Sequence, residues 1–494
     1  MPGRGRSAVI WLFCLSLLLG FAFQGTRAVW STDEGRYTEN ALQMIDSGNY
    51  LVPAYGTDRL NFTKPPMNYW AIAAAVNVFG HNEWAVRAPN ALAFALTALL
   101  LCLIGRQLVP EKMWLPGLVY TLTLAPFIAA NVVSTDTLLT LFEALAMFGF
   151  VSAELAPGAP SRRGYIYLMW LGFGLAFLTK GPPGLLPLLA IVPFIMKRDG
   201  WRALGRIFAP GALALFAAVG FLWYLIVIVR YPGLLHYFLH VEIYERILTP
   251  TQNRNPQWYG WIFAYGPVFA LTTLPWSLAM LRGIGRALSR TNWLRWWREA
   301  STPLLLLLWF VLPLIIFCVS RSRLPVYALP LFLPLSLMLA LDLRQRIDLT
   351  RTHQRILLAA WIVALLALKS LASLYLQSAS DNRLQAQQLN AITAGSDYAA
   401  LAFVDNTAAD VGIEEHTPWG MRLYIDKPFY GIAWGKPGSG GKVCDLLRDH
   451  ASVLYVVDAG IAPEAFRAAV QTCRPHAATT IGSWRRQPLE LVRR

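Results

Sequence analysis

Charge is what this sequence has least of. Asp, Glu, Lys and Arg make up 14% of its 494 residues, against about a quarter in ordinary soluble domains, which excludes a soluble enzyme of two or three domains. Cysteine is scarce too, at five. Cys14, Cys102 and Cys318 sit in apolar runs as small packing residues, and no Cys or His pair has zinc-site spacing. There is no basic stripe with interleaved aromatics, so the formal charge of +15 does not point to nucleic acid. No long internal repeat is evident, unlike the repeated halves of many transporters. The glycine cluster GKPGSGG, 435–441, lacks phosphate-loop spacing and reads as a flexible turn.

Hydrophobic side chains are abundant, at 56% with 19 tryptophans, and they describe a polytopic membrane protein. The first apolar run, Ala8 to Phe23 after MPGRGRS, has the composition of a cleavable leader with Ala28 near a cut. Ten further runs favour an uncleaved first helix: 88–104, 113–130, 137–153, 165–178, 184–196, 208–229, 262–281, 303–319, 326–341 and 356–376. With eleven spans, one set of loops holds 19 Lys or Arg in 70 residues and the other holds 10 in 108. The richer set is expected to be cytoplasmic, which places loop 26–85 and the C-terminal tail outside.

After Leu376 the composition changes. Runs at 398–404, 421–425 and 452–457 read as strands and 462–471 as a helix, so 378–494 is expected to be a small α/β domain. Cys444 and Cys473 both lie in it, where an oxidising compartment permits a disulfide.

The polar groups collect on the outer side. Loop 26–85 brings Asp33, Glu34, Arg36, Tyr37, Lys64 and Tyr69, and it reads as the active-site loop of a catalytic membrane region, 1–377. Thr135-Asp136, Thr179-Lys180, HVEIYERI at 240–247 and SRSRLPVY at 320–327 share its side. Such clustering near the interface favours an enzyme over a transporter. Glu143 lies two turns below Asp136 on the same helical stripe; it either lines a cavity or sits protonated between helices. Pro65 or Pro66 suits the start of a helix, whose free amides beside Lys64 make an anion site. The plainer role for Lys64 is contact with lipid headgroups. Arg246 and Tyr327 complete a phosphate clamp.

DEGRY at 33–37, KPPMNYW at 64–70, TDT at 135–137, LTKGP at 178–182, VEIYER at 241–246 and SRSRLPVYALP at 320–330 together carry a resemblance. In order and spacing over 1–380, they resemble bacterial lipid-phosphate-sugar glycosyltransferases of the GT-C superfamily. The nearest group is the aminoarabinose transferase family that modifies lipid A, with the protein O-mannosyltransferases as relatives. The resemblance implies a GT-C fold of about 11 to 13 transmembrane helices in the bacterial inner membrane, with a periplasmic C-terminal domain.

It also implies roles. Asp33 is the general base or acceptor-orienting carboxylate, and Asp136 is a second catalytic acid group. Lys64, Arg246 and Tyr327 hold the phosphate of an undecaprenyl-phosphate sugar donor. Glu34, Arg36, Tyr37, Tyr69, Lys180, Glu242 and Arg323 line the cavity. Ile243 stands where the aminoarabinose group has histidine and Thr63 where it has glutamate, so two metal ligands are replaced; no metal is expected to be obligatory, and a bound divalent metal stays an open alternative. The implied reaction moves 4-amino-4-deoxy-L-arabinose or a hexose to lipid A; proteins and other envelope glycans are alternative acceptors. An anionic-lipid transporter, and a membrane-tethered binding protein that works through its tail, are the readings from other classes.

Overall fold

The computed structural model describes residues 2–31, 33–56, 59–156, 162–245, 248–249, 254–375, 381–406, 417–436, 438–473 and 478–493. The helices are α1 (Pro2–Phe21), α2 (Asp33–Ser47), α3 (Met67–Phe79), α4 (Glu83–Leu108), α5 (Leu115–Leu122), α6 (Leu124–Ala129), α7 (Thr135–Glu154), α8 (Arg162–Lys180), α9 (Leu188–Asp199) and α10 (Pro210–Arg230). They continue as α11 (Gly260–Thr272), α12 (Ser277–Ala287), α13 (Arg290–Glu299), α14 (Thr302–Val319), α15 (Pro325–Leu343), α16 (Thr352–Tyr375), α17 (Asn382–Ile392), α18 (Ser439–Asp449) and α19 (Pro463–Cys473). The strands are β1 (Ala54–Tyr55), β2 (Arg59–Leu60), β3 (Ala400–Asp405), β4 (Phe429–Ala433), β5 (Ser452–Val457), β6 (Thr479–Trp484) and β7 (Gln487–Arg493). Two compact units result. The first is Met1–Gln24, Thr63–Asn68 and Arg87–Leu371; the second is Gly25–Phe62, Tyr69–Val86 and Ala372–Arg494.

The first unit is a multi-pass membrane fold. Among the described residues six helices are long and apolar enough to cross a bilayer, or seven if α11 and α12, bent by 118°, form one span. Among the described residues the eleven apolar runs fall largely on helical backbone, and 113–130 and 262–281 break where proline removes a donor. Between α5 and α6 Thr123 is extended, and Pro126 cannot donate to the Leu122 carbonyl. The Trp361 indole N–H takes that place at 2.8 Å, so no carbonyl is stranded in the apolar layer. Pro275 breaks 262–281 in the same way, between α11 and α12.

One helix pair positions the site. α7 and α8 run antiparallel across a seam of small residues. A Cβ on Gly172 would stand 2.5 Å from the Ala146 nitrogen, and one on Gly149 would stand 2.6 Å from the Met169 nitrogen. Backbones this close are open only to glycine. The seam sets the register, so Asp136 in the first turn of α7 meets Lys180 in the last turn of α8. At the other end Glu154 meets Arg162.

The second unit is built on a five-stranded sheet of order β4-β3-β5-β7-β6. β3 lies parallel to β4 and β5, while β7 is antiparallel to β5 and β6. One apolar cluster joins Leu389, Leu401, Trp419 and Trp484; the other joins Val443, Leu447, Phe466 and Val470 under α18 and α19. Cys444 and Cys473 are disulfide-bonded and tie those two helices together. The run MRLYI at 421–425, expected as a strand, is instead part of a 3-10 turn, Trp419–Leu423. Met421, Arg422 and Leu423 are all buried, Arg422 because it pairs with Asp46, so the alternation a half-exposed strand needs is lost. The strand forms after Pro428, as β4.

Helix α2 belongs to this second unit. A Cβ on Gly35 would stand 2.8 Å from the Gly420 nitrogen, so α2 rests on the turn carrying Trp419. Tyr55 stacks on Trp419 at 4.8 Å, and Glu83 is paired with Arg383. The 25–62 and 69–86 stretches thus share a core with the tail.

Candidate active site

In the first unit the Lys180 ammonium donates to Asp136 Oδ1 at 2.5 Å and lies 4.1 Å over the Tyr327 ring. Asp136 is buried. One cation is therefore held between a carboxylate and an aromatic face, an arrangement that fixes its direction. Arg254 donates to the Tyr327 hydroxyl at 3.4 Å. Sequence reasoning passed over Arg254, whose signal was its place in a loop of few cations. Below the pair lies Glu143, fully buried, with an Oε1 that meets no donor among the described residues.

Lys64 stands just before α3, whose first residue, Met67, follows Pro66. Its ammonium donates to the Thr63 carbonyl at 2.8 Å and lies 3.5 Å from Glu242 Oε2. Tyr237 donates to the other oxygen of Glu242 at 3.3 Å. Arg323 is buried and spends its guanidinium on backbone: N–H groups donate to the carbonyls of Asn255 and Gln257 at 2.6 Å and of Cys318 at 2.8 Å. It pins the segment that presents Arg254. Arg246 lies outside the described residues.

Asp33, Glu34, Arg36, Tyr37 and Tyr69 lie in the second unit. Asp33 opens α2 half-exposed and accepts a hydrogen bond from Arg36 one turn on. Glu34 is buried and fully engaged, bound by both Arg27 guanidinium nitrogens at 2.9 and 2.8 Å and by the Trp30 amide at 3.1 Å. Adjacent carboxylates thus differ sharply: Glu34 braces the helix start, while Asp33 meets solvent. The Tyr37 and Tyr69 rings stand 5.8 Å apart, and Asn61 donates to the Tyr69 hydroxyl at 3.2 Å. On the buried face of α2 Glu39, missed in the sequence, accepts weakly from the Gly56 amide at 3.4 Å. Burial pushes its carboxyl up to about 7, against the opposing pull of Arg422. Among the described residues no three His, Cys, Asp or Glu side chains converge to hold a metal ion.

The dolichyl-phosphate-mannose-protein mannosyltransferase family matches residues 63–226. The undecaprenyl phosphate-α-4-amino-4-deoxy-L-arabinose arabinosyl transferase 2 of Sodalis glossinidius (strain morsitans) is 35% identical over 348 residues, 69% of this chain and 59% of that protein. The corresponding transferase of Enterobacter sp. (strain 638) is 32% identical over 71% of this chain and 62% of its own length. The matches therefore span less than two thirds of these relatives. In structure, ArnT from Cupriavidus metallidurans bound to undecaprenyl phosphate superposes with a TM-score of 0.71 at 17% identity, covering 98% of this chain and 97% of that one. The Archaeoglobus fulgidus oligosaccharyltransferase superposes with a TM-score of 0.55 at 12% identity, over 92% of this chain and 69% of that one. The likeness carried by the loop motifs thus holds at both levels: the chain has the ArnT fold and is a sequence relative of the bacterial undecaprenyl-phosphate aminoarabinose transferases.

Proposed function

We propose that this protein is an inner-membrane glycosyltransferase that moves a sugar from undecaprenyl phosphate to an acceptor on the periplasmic side, lipid A first among candidates. The observation that carries the reading is the caged Lys180, held by Asp136 and the Tyr327 ring, in a fold whose solved counterpart binds undecaprenyl phosphate. The relatives' names make 4-amino-4-deoxy-L-arabinose the leading sugar, with a hexose as the alternative. The mannosyltransferase family match favours a second reading, a protein or other envelope glycan as acceptor.

A polyprenyl phosphate leaves with negative charge growing on its bridging oxygen. Lys64, Tyr327 and Arg246 bind and stabilise that phosphate, and Lys180 adds charge next to Tyr327. The acceptor oxygen attacks the anomeric carbon in line, with inversion, and Asp33 takes its proton. The role of Asp33 rests on its motif and its exposure to solvent. No metal is assigned a step, because Thr63 and Ile243 offer no ligands. On this reading the chain crosses about 11 to 13 times, an odd number putting loop 26–85 and the 378–494 domain together in the periplasm; the basic loops, counted in the sequence, and the Cys444–Cys473 bond support that orientation.

The test is mass spectrometry of lipid A, envelope glycans and envelope proteins from cells with and without the protein, and with Asp33→Asn. A sugar mass lost in both the deletion and the variant identifies transfer and acceptor together. If no mass changes, while the purified protein moves anionic lipid across vesicles, the transferase reading fails.

A further inference from the structure

The two ends of the α7–α8 hairpin lie about 30 Å apart, at 1.5 Å per residue over the 20 residues of α7. Asp136 and Lys180 mark one end, Glu154 and Arg162 the other. Arg198 bonds Glu154 at 2.6 Å, and the neighbouring Lys197 ammonium stands 5.2 Å over the Trp297 ring. Helix α13 therefore lies at the Glu154 end.

None of the ten residues of α13, RTNWLRWWRE, is buried. At 100° per residue Trp293, Leu294, Trp296 and Trp297 share one side, Arg295, Arg298 and Glu299 fall on the other, and Arg290, the first residue, starts on the apolar side. Trp293 and Trp297 stack on each other at 6.1 Å while both stay exposed. Exposed Leu278, Leu281, Ile284 and Leu288 extend the apolar surface along α12.

The arginines of α13 differ from their neighbours. Arg282 and Arg286 are taken by Asp342, and Arg162, Arg198 and Arg206 by Glu154. Arg290, Arg295 and Arg298 pair with no carboxylate among the described residues. An apolar tryptophan side, and an opposite side with Arg295 and Arg298 against the single carboxylate Glu299, on one exposed helix beside membrane spans match a helix lying in the bilayer interface.

We propose that α13 lies in the membrane plane at the Glu154 end and binds anionic phospholipid headgroups. Trp293, Trp296 and Trp297 sit at the acyl boundary, Arg295 and Arg298 meet the phosphodiesters from the opposite side, and Arg290 reaches them from the helix start by extending its stem past the rings. Charge complementarity selects phosphatidylglycerol over zwitterionic lipid. The inference is independent of what the outer end catalyses.

The test uses the full chain in detergent micelles doped with equal fractions of phosphatidylglycerol and phosphatidylcholine, with retained lipid counted by native mass spectrometry. The wild type should retain phosphatidylglycerol preferentially. The triple variant Arg290→Gln, Arg295→Gln and Arg298→Gln should lose that preference by about tenfold with its thermal unfolding midpoint unchanged. A single variant, Arg298→Gln, should show a partial loss and covers the case in which the triple variant unfolds. Equal retention by wild type and variants overturns the proposal. So does a wild-type dimer that the variants disperse without losing lipid, because the face would then join two copies of the chain.

Discussion

The α7–α8 hairpin ends in two ion clusters of opposite design. At the Glu154 end donors outnumber acceptors: Arg162 holds one carboxylate oxygen at 2.5 Å, Arg198 and Arg206 hold the other at 2.6 and 3.2 Å, and Asp199 ties the latter two together. At the Asp136 end one lysine serves one carboxylate and rests against a ring. Crowded donors fix a helix end. A solitary pair has ammonium protons left for a ligand, and that difference separates a structural clamp from the end proposed above to meet the donor.

The comparison breaks most visibly at Lys180. Lys180→Met should lower sugar transfer in proteoliposomes by about 10²–10³-fold, the scale of removing one charge-stabilising donor, at normal abundance. Wild-type turnover would make this end as structural as the other. Glu154→Gln should do the reverse: it removes the carboxylate charge shared by three part-exposed arginines, two of which Asp199 still answers, and costs about 1–2 kcal/mol, seen as a lower thermal midpoint in detergent, with turnover per folded molecule unchanged.

A third buried carboxylate sharpens the contrast. Glu39 has no clamp to hold it ionised, and its carboxyl is pushed up to about 7, from an ordinary 4.5. A raised folded value means that stability is fully present below the unfolded value and is lost as pH rises through the folded one. The second unit should lose about 2 kcal/mol between about pH 5 and pH 8. Glu39→Gln should flatten that decline in pH-dependent unfolding; an unchanged slope would assign it to other groups. The smallest effect belongs to Tyr327→Phe, which keeps the ring under Lys180 and removes one hydroxyl. Donor KM should rise by about fivefold, for roughly 1 kcal/mol, with kcat preserved.

Hydropathy made the membrane helices legible, because a bilayer demands apolar runs and internally bonded backbone together. The breaks at Pro126 and Pro275 were legible in principle, yet a run judged on hydropathy alone hides them. The tail was harder. β6 and β7 turn through Arg485 and Arg486, both at positive φ, 53° and 68°, where hairpin rules look for Asn-Gly. Of the site, the Lys180 and Tyr327 segments could be found by motif, but not that the ammonium faces the ring. Arg254 and Glu39 carry no motif. Their partners, Tyr327 and Arg422, stand 73 and 383 positions on in sequence, so only the fold reveals them.

The glycine seam between α7 and α8 makes the Asp136–Lys180 pair sensitive to changes far from it. Gly149 is 13 residues from Asp136, about 20 Å along the helix, and neither it nor Gly172 touches the charged pair. A methyl at position 172 would meet backbone, which cannot rotate away. The helices would have to part or slide, and a slide of one turn, about 5.4 Å, would carry Lys180 out of reach of Asp136. Two hydrogen atoms in the apolar layer thus serve as the gauge that keeps an ammonium and a carboxylate in contact at its edge.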